Sequence, residues 1–559
     1  MGDTVNDSNT DNRIRTYLPP ARILLAEGRI ENAERLLRTR ADQVGLHERE
    51  MTVVRGKGRI LFDFGRELHG GIRLVAGAGT DGAGVRAVLG ESAAEALSRP
   101  GEKNSGNAHA LRDLSFPLPF YSDTEMFQSG FRFLLLEFTD PGAEYAVKAV
   151  NAVSVGIARE RKGSFSCPDK RITEIYETAA YTTELCAQKY FWDGIKRDRL
   201  VWMGDLYPEI VSFLSLYDDD GTVERSLDFV KDQTPLPGWM NGYPMYSMWW
   251  IIILEEYLRL TGNRAYVSAQ RPYFEGLLTQ IDGCVREDGD FDFGMHFIDW
   301  PTYGHPDEKE GVRALGRLCA NAACRLETFY GIRTGMAEKI GAKFAAAGAP
   351  VREKKQILAL KHLSGAGLSE EENALLGAGG ARGFSTFMSY FILSALAETH
   401  GMDAALAAMK EYYGGMLDMG ATAFWEDFNV AWTEGDVCPL DRIPAPGQKE
   451  IHGDFGQFCY TGYRHSLCHG WSAGVVYFLV TKVLGISSAE DGFQKIRIRP
   501  DLGSLEEAEA AVPTPRGLLK VSCRRENGVQ VLRVSGAGGA EILVENAVLL
   551  SRTGENGTK

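Results

Sequence analysis

The stretch SFSCPDKRITEIYETAAYTTELCAQ, residues 164–188, marks a change in the texture of the chain. A capping residue and a proline stand at its start, and apolar residues then recur at helical spacing, as in a helix that buries one face. Upstream, from about 50 to 160, the runs are short, alternating and broken by glycine. GRILFDFGRELHGGIRLVAG, GVRAVLGES, GFRFLLLEF and YAVKAVNAVSV each read as a strand bounded by turns, at a spacing that predicts a β-sandwich. Downstream, helical patterns recur near 168–190, 206–217, 222–232, 245–261, 268–284, 310–332, 334–347, 351–363, 384–400, 402–413 and 465–484. They come in pairs joined by glycine- and aromatic-rich loops, which suits an (α/α)6 barrel. An open solenoid would need a repeat of about 34–47 residues, and the sequence has none. After about 486 the strand pattern returns in FQKIRIRPDL, GLLKVSCRREN, VQVLRVSG and AEILVENAVLL.

The expected fold is therefore a multidomain α and β chain, a central (α/α)6 barrel flanked by an N-terminal β-sandwich and a small C-terminal β-sandwich. The boundaries read as 1–47 for a lead-in with a short helix within 21–40, 48–163 for the first sandwich, 164–486 for the barrel and 487–552 for the second sandwich.

Composition excludes several classes. A chain of 559 residues, 44% hydrophobic and 24% charged, is neither disordered nor a disulfide scaffold. Its formal charge of −14 (75 Asp+Glu against 61 Lys+Arg) offers no basic stripe to phosphates, so no nucleic-acid partner is expected. The apolar runs are shorter than the ~18 residues of a membrane helix, so no membrane partner is expected either. The first twenty residues hold no apolar leader, and the reading is cytoplasmic unless a signal was removed before this start. Nine cysteines without paired spacing read as reduced thiols, and ten histidines form no zinc motif; no metal or cofactor is expected.

All nine tryptophans fall between Trp192 and Trp471, and several adjoin acids. Indole packs on the apolar face of a sugar ring, and carboxylates bond its hydroxyls. The densest patch runs from Phe191 to Asp205 and holds Asp193, Arg197, Asp198, Trp202 and Asp205. Others are Trp239 with Trp249 or Trp250 (the latter read as core), Asp299-Trp300, Trp425-Glu426 and His469-Gly470-Trp471. Two acidic clusters about 230 residues apart are what glycoside hydrolysis needs, one to protonate the departing oxygen and one to attack or to activate water.

At these residues the chain resembles family 78 of the glycoside hydrolases, the α-L-rhamnosidases. The family hallmark has the form DxxxRDERLGWxGD, and the chain reads Asp193-Gly-Ile-Lys-Arg197-Asp198-Arg199-Leu200-Val201-Trp202-Met203-Gly204-Asp205. Thr422-Ala423-Phe424-Trp425-Glu426 is similar to the family's "TTxWE" element, and Ser466-Leu467-Cys468-His469 to its "SxNH" element. Asp63-Phe64-Gly65 with Gly70-Gly71 resembles the sandwich before the family's barrel, and 493–500 with 512–515 its C-terminal sandwich. The resemblance implies an inverting hydrolase without a redox cofactor. It implies that Asp193 and Asp205 hold sugar hydroxyls beside Arg197, that Trp202, Trp300 and His469 shape the sugar pocket, and that Glu426 is the general base. The chain departs from the hallmark in being one residue short: the general-acid Glu is missing, and Val201 stands for a glycine. Asp198 is the candidate acid, with Glu209 as the alternative.

The expected function is an exo-acting hydrolase that releases terminal α-L-rhamnose, or a related sugar, from an oligosaccharide or plant glycoside. The catalytic residues are Asp198 and Glu426. Asp193, Arg197, Trp202, Asp205, Trp239, Trp249, Asp299, Trp300, Trp425, His469 and Trp471 are the expected substrate contacts. The alternatives are a carbohydrate-binding relative without catalysis, a glycosidase of changed specificity, and a lyase, which would need Tyr, His or Lys as base.

Overall fold

The computed structural model describes residues 12–38, 42–536 and 538–553. The polar start of the expected lead-in, up to residue 11, lies outside the described residues. Strands β1 (Arg13–Leu18), β2 (Arg22–Glu31), β3 (Thr52–Ala76), β4 (Ala83–Gly90), β5 (Asp113–Leu118), β6 (Asp123–Phe138) and β7 (Glu144–Ile157) form one sheet. Its order is β1-β7-β3-β6-β4-β5, with β2 also on β3. The expected helix within 21–40 is a correction: 22–31 is strand, followed by a single 3-10 turn over Ala33–Leu37. Helix-forming Leu, Ala, Glu and Arg lose here to pairing with β3, and Gly28 (φ 108°) lets the two backbones meet at Gly58.

The 25-residue β3 folds the sheet over. Its first half pairs with Phe133–Phe138 of β6 and its second half with Asp123–Phe131, with a break between Asp63 and Leu68. Phe62, Leu68, Ile72, Phe131, Leu134 and Leu136 pack inside the fold. Asp63 ties the bend: it accepts Arg132 Nε (2.8 Å) and Nη2 (3.0 Å), Arg22 Nε (2.9 Å) and the Gly65 N–H (2.7 Å). Burial opposes charge on Asp63, yet Arg132 and the Gly65 N–H hold its carboxyl below the usual range. Asp63→Ala, which strands Arg132 in the interior, is expected to cost about 3–5 kcal/mol, readable as a lower urea midpoint at unchanged m-value.

Helix α1 (Ala93–Leu97) follows β4, and strand β8 (Ser164–Ser166) leads into α2 (Lys170–Cys186). Asp169 caps α2 through the Arg171 and Ile172 N–H groups, and Ile172, Ile175, Tyr176, Ala179 and Thr183 line its buried face. Then come α3 (Leu206–Leu216), α4 (Thr222–Asp232), α5 (Pro244–Thr261), α6 (Arg264–Ala269), α7 (Arg271–Cys284), α8 (Glu308–Tyr330), α9 (Met336–Ala345), α10 (Lys355–Leu363), α11 (Glu370–Gly377), α12 (Ser389–His400) and α13 (Met402–Asp418). The last helical segment, 470–483, passes from 3-10 through α14 (Val475–Phe478) to a π turn. The pattern at 268–284 is split at Gln270, where Pro272 opens a new helix. The short α11, with its Ser369–Glu372 capping box, carried too few apolar residues to read.

The packing closes on itself: α3 lies on α5, α5 on α8, α8 on α10, α10 on α12, α12 on α14, and α14 on α3. These helices are largely enclosed, as in α3, where every residue is buried. Beyond the helices, β11 (Ile486–Glu490), β12 (Lys495–Ile498) and β16 (Glu541–Val544) form one sheet; β13 (Glu507–Thr514), β14 (Gly517–Glu526), β15 (Val529–Ser535) and β17 (Val548–Thr553) form another, completed by β8. The short strands β9 (Val437–Cys438) and β10 (Lys449–Glu450) pair within the loop after α13. All nine cysteines are free. Among the described residues, no helix is long and apolar enough to cross a membrane.

Candidate active site

Three loops meet at one end of the helices: 187–205 after α2, 419–429 after α13, and 455–469 before the last helical segment. Backbone bonds lace them together. Gly194 bridges to His469, the Gly470 N–H donates to Asp193 O (2.8 Å), the Glu426 N–H to Ser466 O (3.0 Å), and the His469 N–H to Phe424 O (2.9 Å). The hallmark patch is thus joined to residues more than 200 positions away.

Arg197 stands at the centre. Its Nη2 donates to both Glu426 oxygens at 3.0 Å, its Nη1 to Asp198 Oδ2 at 3.1 Å, and its Nε to Arg464 O at 2.7 Å. One guanidinium therefore holds both candidate catalytic carboxylates. Glu426 Oε2 also accepts the Ser466 N–H (3.1 Å), and Trp471 Nε1 donates to the Glu426 carbonyl (3.0 Å). Burial lifts the Glu426 carboxyl above its usual range, while Arg197 and the Ser466 N–H pull the other way. Asp198 and Arg199 have φ of 56° and 54°, a left-handed pair of non-glycine residues in the middle of the patch.

Asp193 Oδ1 accepts the Leu200 N–H (2.9 Å), and Asp205 Oδ1 accepts the Tyr246 hydroxyl (3.1 Å). Gly204 makes the second contact feasible, because a Cβ there would fall 2.2 Å from the Tyr246 ring. Both carboxyls lie well above their usual range, through burial first and then their acidic neighbours. His469 Nε2 lies 3.6 Å from Glu426 Oε1 and 4.0 Å from Asp193 Oδ2. Burial, then Arg197 and His465, push its imidazole well below the usual value, so it is neutral. Trp202 and Trp300 are half-buried. Trp202 meets Tyr243 and Tyr246 edge-on, while Trp300 stacks on the exposed Phe458 at 6.2 Å and meets Tyr460 edge-on. Apolar ring faces thus flank a cluster of carboxyls and one guanidinium.

Asp299 caps the 3-10 turn Trp300–Thr302 and accepts the Ser385 hydroxyl and the Trp300 N–H. Burial pushes its carboxyl up to about 7 against those two bonds. Asp427 is also pushed up to about 7, by burial and then by Asp299, against a backbone bond from Phe428. Such groups keep their proton when folded and lose it near pH 4 when unfolded, so between about pH 4 and 7 the folded chain binds more protons. Stability then falls as pH rises, by up to about 1.4 kcal/mol per pH unit for each group. The thermal midpoint is expected to decline from pH 5 to pH 8, and Asp299→Asn to flatten that decline; a midpoint rising over this range contradicts the assignment.

The remaining expected contacts divide. Trp471 backs Glu426, as above. Trp425 is 1% exposed and packs behind Glu426 on Phe428 and His465. Trp249 is corrected to core: it is 2% exposed, wedged among Tyr207, Phe387 and Phe391 on the inner face of α5. Trp239 leans on Phe293 beside a separate cavity of about 420 Å³ lined by Val201, Phe229 and Asn241. Trp250 is buried, as read. Glu209, the alternative acid, lies in α3 against Gly470 with neither oxygen bonded, and burial keeps it neutral. A larger cavity, about 430 Å³, lies between the helices and the C-terminal sheets, lined by Tyr217, Thr261, Tyr477 and Pro513; it holds no cluster of site carboxylates.

The sequence reading missed Tyr246, Tyr460, Ser466 as a backbone donor to Glu426, and a support beneath them. Glu91 accepts the Leu467 N–H (2.8 Å), so the N-terminal sheet braces the Ser466 loop. Glu91, Glu95 and His452 are near enough to one another to share a metal. Lys196 Nζ already supplies the cation there, 3.2 Å from Glu91 Oε2 and 3.0 Å from Glu95 Oε1.

Comparison with known proteins places the chain beside one group of enzymes. Residues 160–325 match the model of the bacterial α-L-rhamnosidase six-hairpin glycosidase domain, and 485–536 that of the bacterial α-L-rhamnosidase C-terminal domain. The fold is shared with a GH78 family rhamnosidase of Bacillus sp. GL1 (TM-score 0.72, 22% identity, covering 93% of this chain and 56% of that one). It is also shared with an α-L-rhamnosidase from Dictyoglomus thermophilum (0.66, 16%, 95% and 58%) and a rhamnosidase from Klebsiella oxytoca with rhamnose bound (0.64, 17%, 84% and 96%). The chain thus spans just over half the length of the first two. Among curated proteins, none matches it in sequence. The first of the two family matches takes in the helical region from its start to α8. Over the two matched segments the chain carries the domains of the bacterial α-L-rhamnosidases.

Proposed function

We propose that the protein is an inverting exo-glycoside hydrolase that releases terminal α-L-rhamnose from an oligosaccharide or glycoside. The closed ring of helices is read as an (α/α)6 barrel between two β-sandwiches, with the sugar pocket at its looped end. The observation that carries the reading is the Arg197 bridge, which joins Glu426 to Asp198 with the guanidinium lying over the Tyr460 ring.

In this reading Asp198 protonates the glycosidic oxygen as the C–O bond breaks, and Glu426 takes a proton from the water that attacks the opposite face of the sugar. Arg197 favours the charged form of the base and so opposes burial, which favours its protonated form. Asp193 and Asp205, whose carboxyls burial holds protonated, can both donate to and accept from sugar hydroxyls. Neutral His469 fills the wall without adding positive charge beside the developing oxocarbenium ion.

The test is hydrolysis of 4-nitrophenyl α-L-rhamnoside set against the corresponding α-L-arabinoside, β-D-glucoside and β-D-glucuronide. Turnover of the rhamnoside above the others supports the proposal. Turnover of another glycoside alone, or of none, overturns it.

A further inference from the structure

A loop of the N-terminal sheet reaches the Arg197–Asp198 pair. Between α1 and β5 the chain makes an excursion, 98–112, that crosses the 450–466 loop of the helical domain. Lys103 Nζ contacts Glu450 Oε1 (3.1 Å) and Asp454 Oδ2 (2.8 Å). Asn104 Nδ2 donates to Thr461 O (3.1 Å) and Oγ1 (3.0 Å). Gly462 admits the Lys103 carbonyl so closely that a Cβ would lie 2.2 Å from it. At the base of the excursion, Asn107 Oδ1 accepts the Arg112 and Asp113 N–H groups at 3.0 Å each. The excursion is therefore fixed at several points, and it carries His109 to the patch.

His109 Nδ1 lies 2.6 Å from Asp198 Oδ1, while Arg197 holds Oδ2. Oδ1 is otherwise buried and without a partner, and the His109 ring nitrogen is the group set against it. His109, Asp198 and Arg199 all have left-handed backbones (φ 64°, 56° and 54°). Non-glycine residues held so on both sides of one contact mark a constrained functional site. The His109 side chain is 45% exposed, against 18% for Asp198, so the imidazole connects a sheltered carboxyl to solvent. Arg197, Asp193, Asp205 and Glu426 are the other titratable groups that sense Asp198.

We propose that His109, contributed by the N-terminal sheet, is the positioning residue that orients Asp198 and returns its proton after each turnover. This rests on the function proposed above. When the C–O bond breaks, Asp198 gives its proton to the leaving oxygen and Glu426 gains one from water. A proton from solvent then reaches Asp198 through the His109 imidazole, taken up at one ring nitrogen and given from Nδ1, while Glu426 releases its proton to solvent. Protons balance, and no other reactant is needed.

A general acid matters in proportion to the basicity of the leaving group, which distinguishes this role from a structural one. Wild type, His109→Ala and His109→Gln are compared on an alkyl α-L-rhamnoside and on 4-nitrophenyl α-L-rhamnoside, with thermal midpoints measured alongside. Both variants are expected to lose about 10²-fold in kcat on the alkyl substrate and no more than about threefold on the nitrophenyl one, with KM unchanged. Glutamine keeps an N–H donor but can neither give up nor take on a proton, so it gives no rescue. Equal losses on both substrates, rescue by glutamine, or no loss at all overturn the role of His109 while leaving the hydrolase reading in place. A wild type that cleaves neither substrate removes the function, and this role with it.

Discussion

Glu426→Gln is expected to lower kcat by about 10³–10⁴-fold on alkyl and nitrophenyl α-L-rhamnosides alike, with KM nearly constant. Glutamine keeps the volume of the side chain and, with its oxygen at the Oε2 position, can still accept Arg197 Nη2 and the Ser466 N–H, so the three loops stay joined. What it lacks is basicity. Water attack is needed whatever group departs, hence the loss does not depend on the leaving group. Arg197 also loses its charged partner in the interior, and some fall in stability is expected with the change. Steady-state kinetics on the two substrates, with a denaturant midpoint for each protein, checks both effects. A variant that retains more than about a tenth of wild-type kcat contradicts the role.

Asp198→Asn is the second large effect, and its signature differs. Loss of a general acid is expected to cost about 10²–10⁴-fold on an alkyl rhamnoside and far less on the nitrophenyl substrate, whose leaving group departs without full protonation. The two variants thus separate acid from base without a bound substrate being seen. Equal loss on both substrates would assign Asp198 to binding. Its reach is the point at issue, because it is one methylene shorter than glutamate and a misplacement of ~1 Å can cost ~10²-fold. The left-handed backbone at Asp198 and the contacts from Arg197 and His109 fix where that shorter carboxyl stands.

Much of this was legible in the sequence where local chemistry governs. Asp169 before an apolar period announced α2, and the long amphipathic runs gave most of the other helices within a few residues. The charged aromatic patch from Asp193 to Asp205 named four of the carboxyl and guanidinium groups that the loops gather. Strand β2 was not legible, because a Leu-, Ala- and Glu-rich segment takes its conformation from β3 and not from its own preference. Trp249 could not be separated from pocket tryptophans by spacing, since an enclosed inner helix is apolar on every side. His109 gave no signal at all. It sits in a polar turn of another domain, 89 positions before the acid it touches, and only the anchoring of Lys103 and Asn104 on the 450–466 loop brings it there.

The same anchoring makes the N-terminal sheet part of the site and not a separate module. Glu91 holds the Leu467 N–H next to the donor for Glu426, and His109 meets Asp198, so the N-terminal region touches the surroundings of both proposed catalytic carboxyls. Damage to the sheet is then expected to reach the pocket, which is why the Asp63 bend matters beyond stability: Arg132, held by Asp63, also donates to Gly420 O (3.0 Å) at the start of the Glu426 loop.

The central claim is hydrolysis of an α-L-rhamnoside with inversion by the Asp198–Glu426 pair. Proton NMR of the anomeric region during the first minutes of 4-nitrophenyl α-L-rhamnoside cleavage tests it most directly. β-L-Rhamnose is expected as the first product, with the α anomer growing in only as mutarotation proceeds; α-L-rhamnose appearing first, or no rhamnose at all, would contradict inversion by this pair.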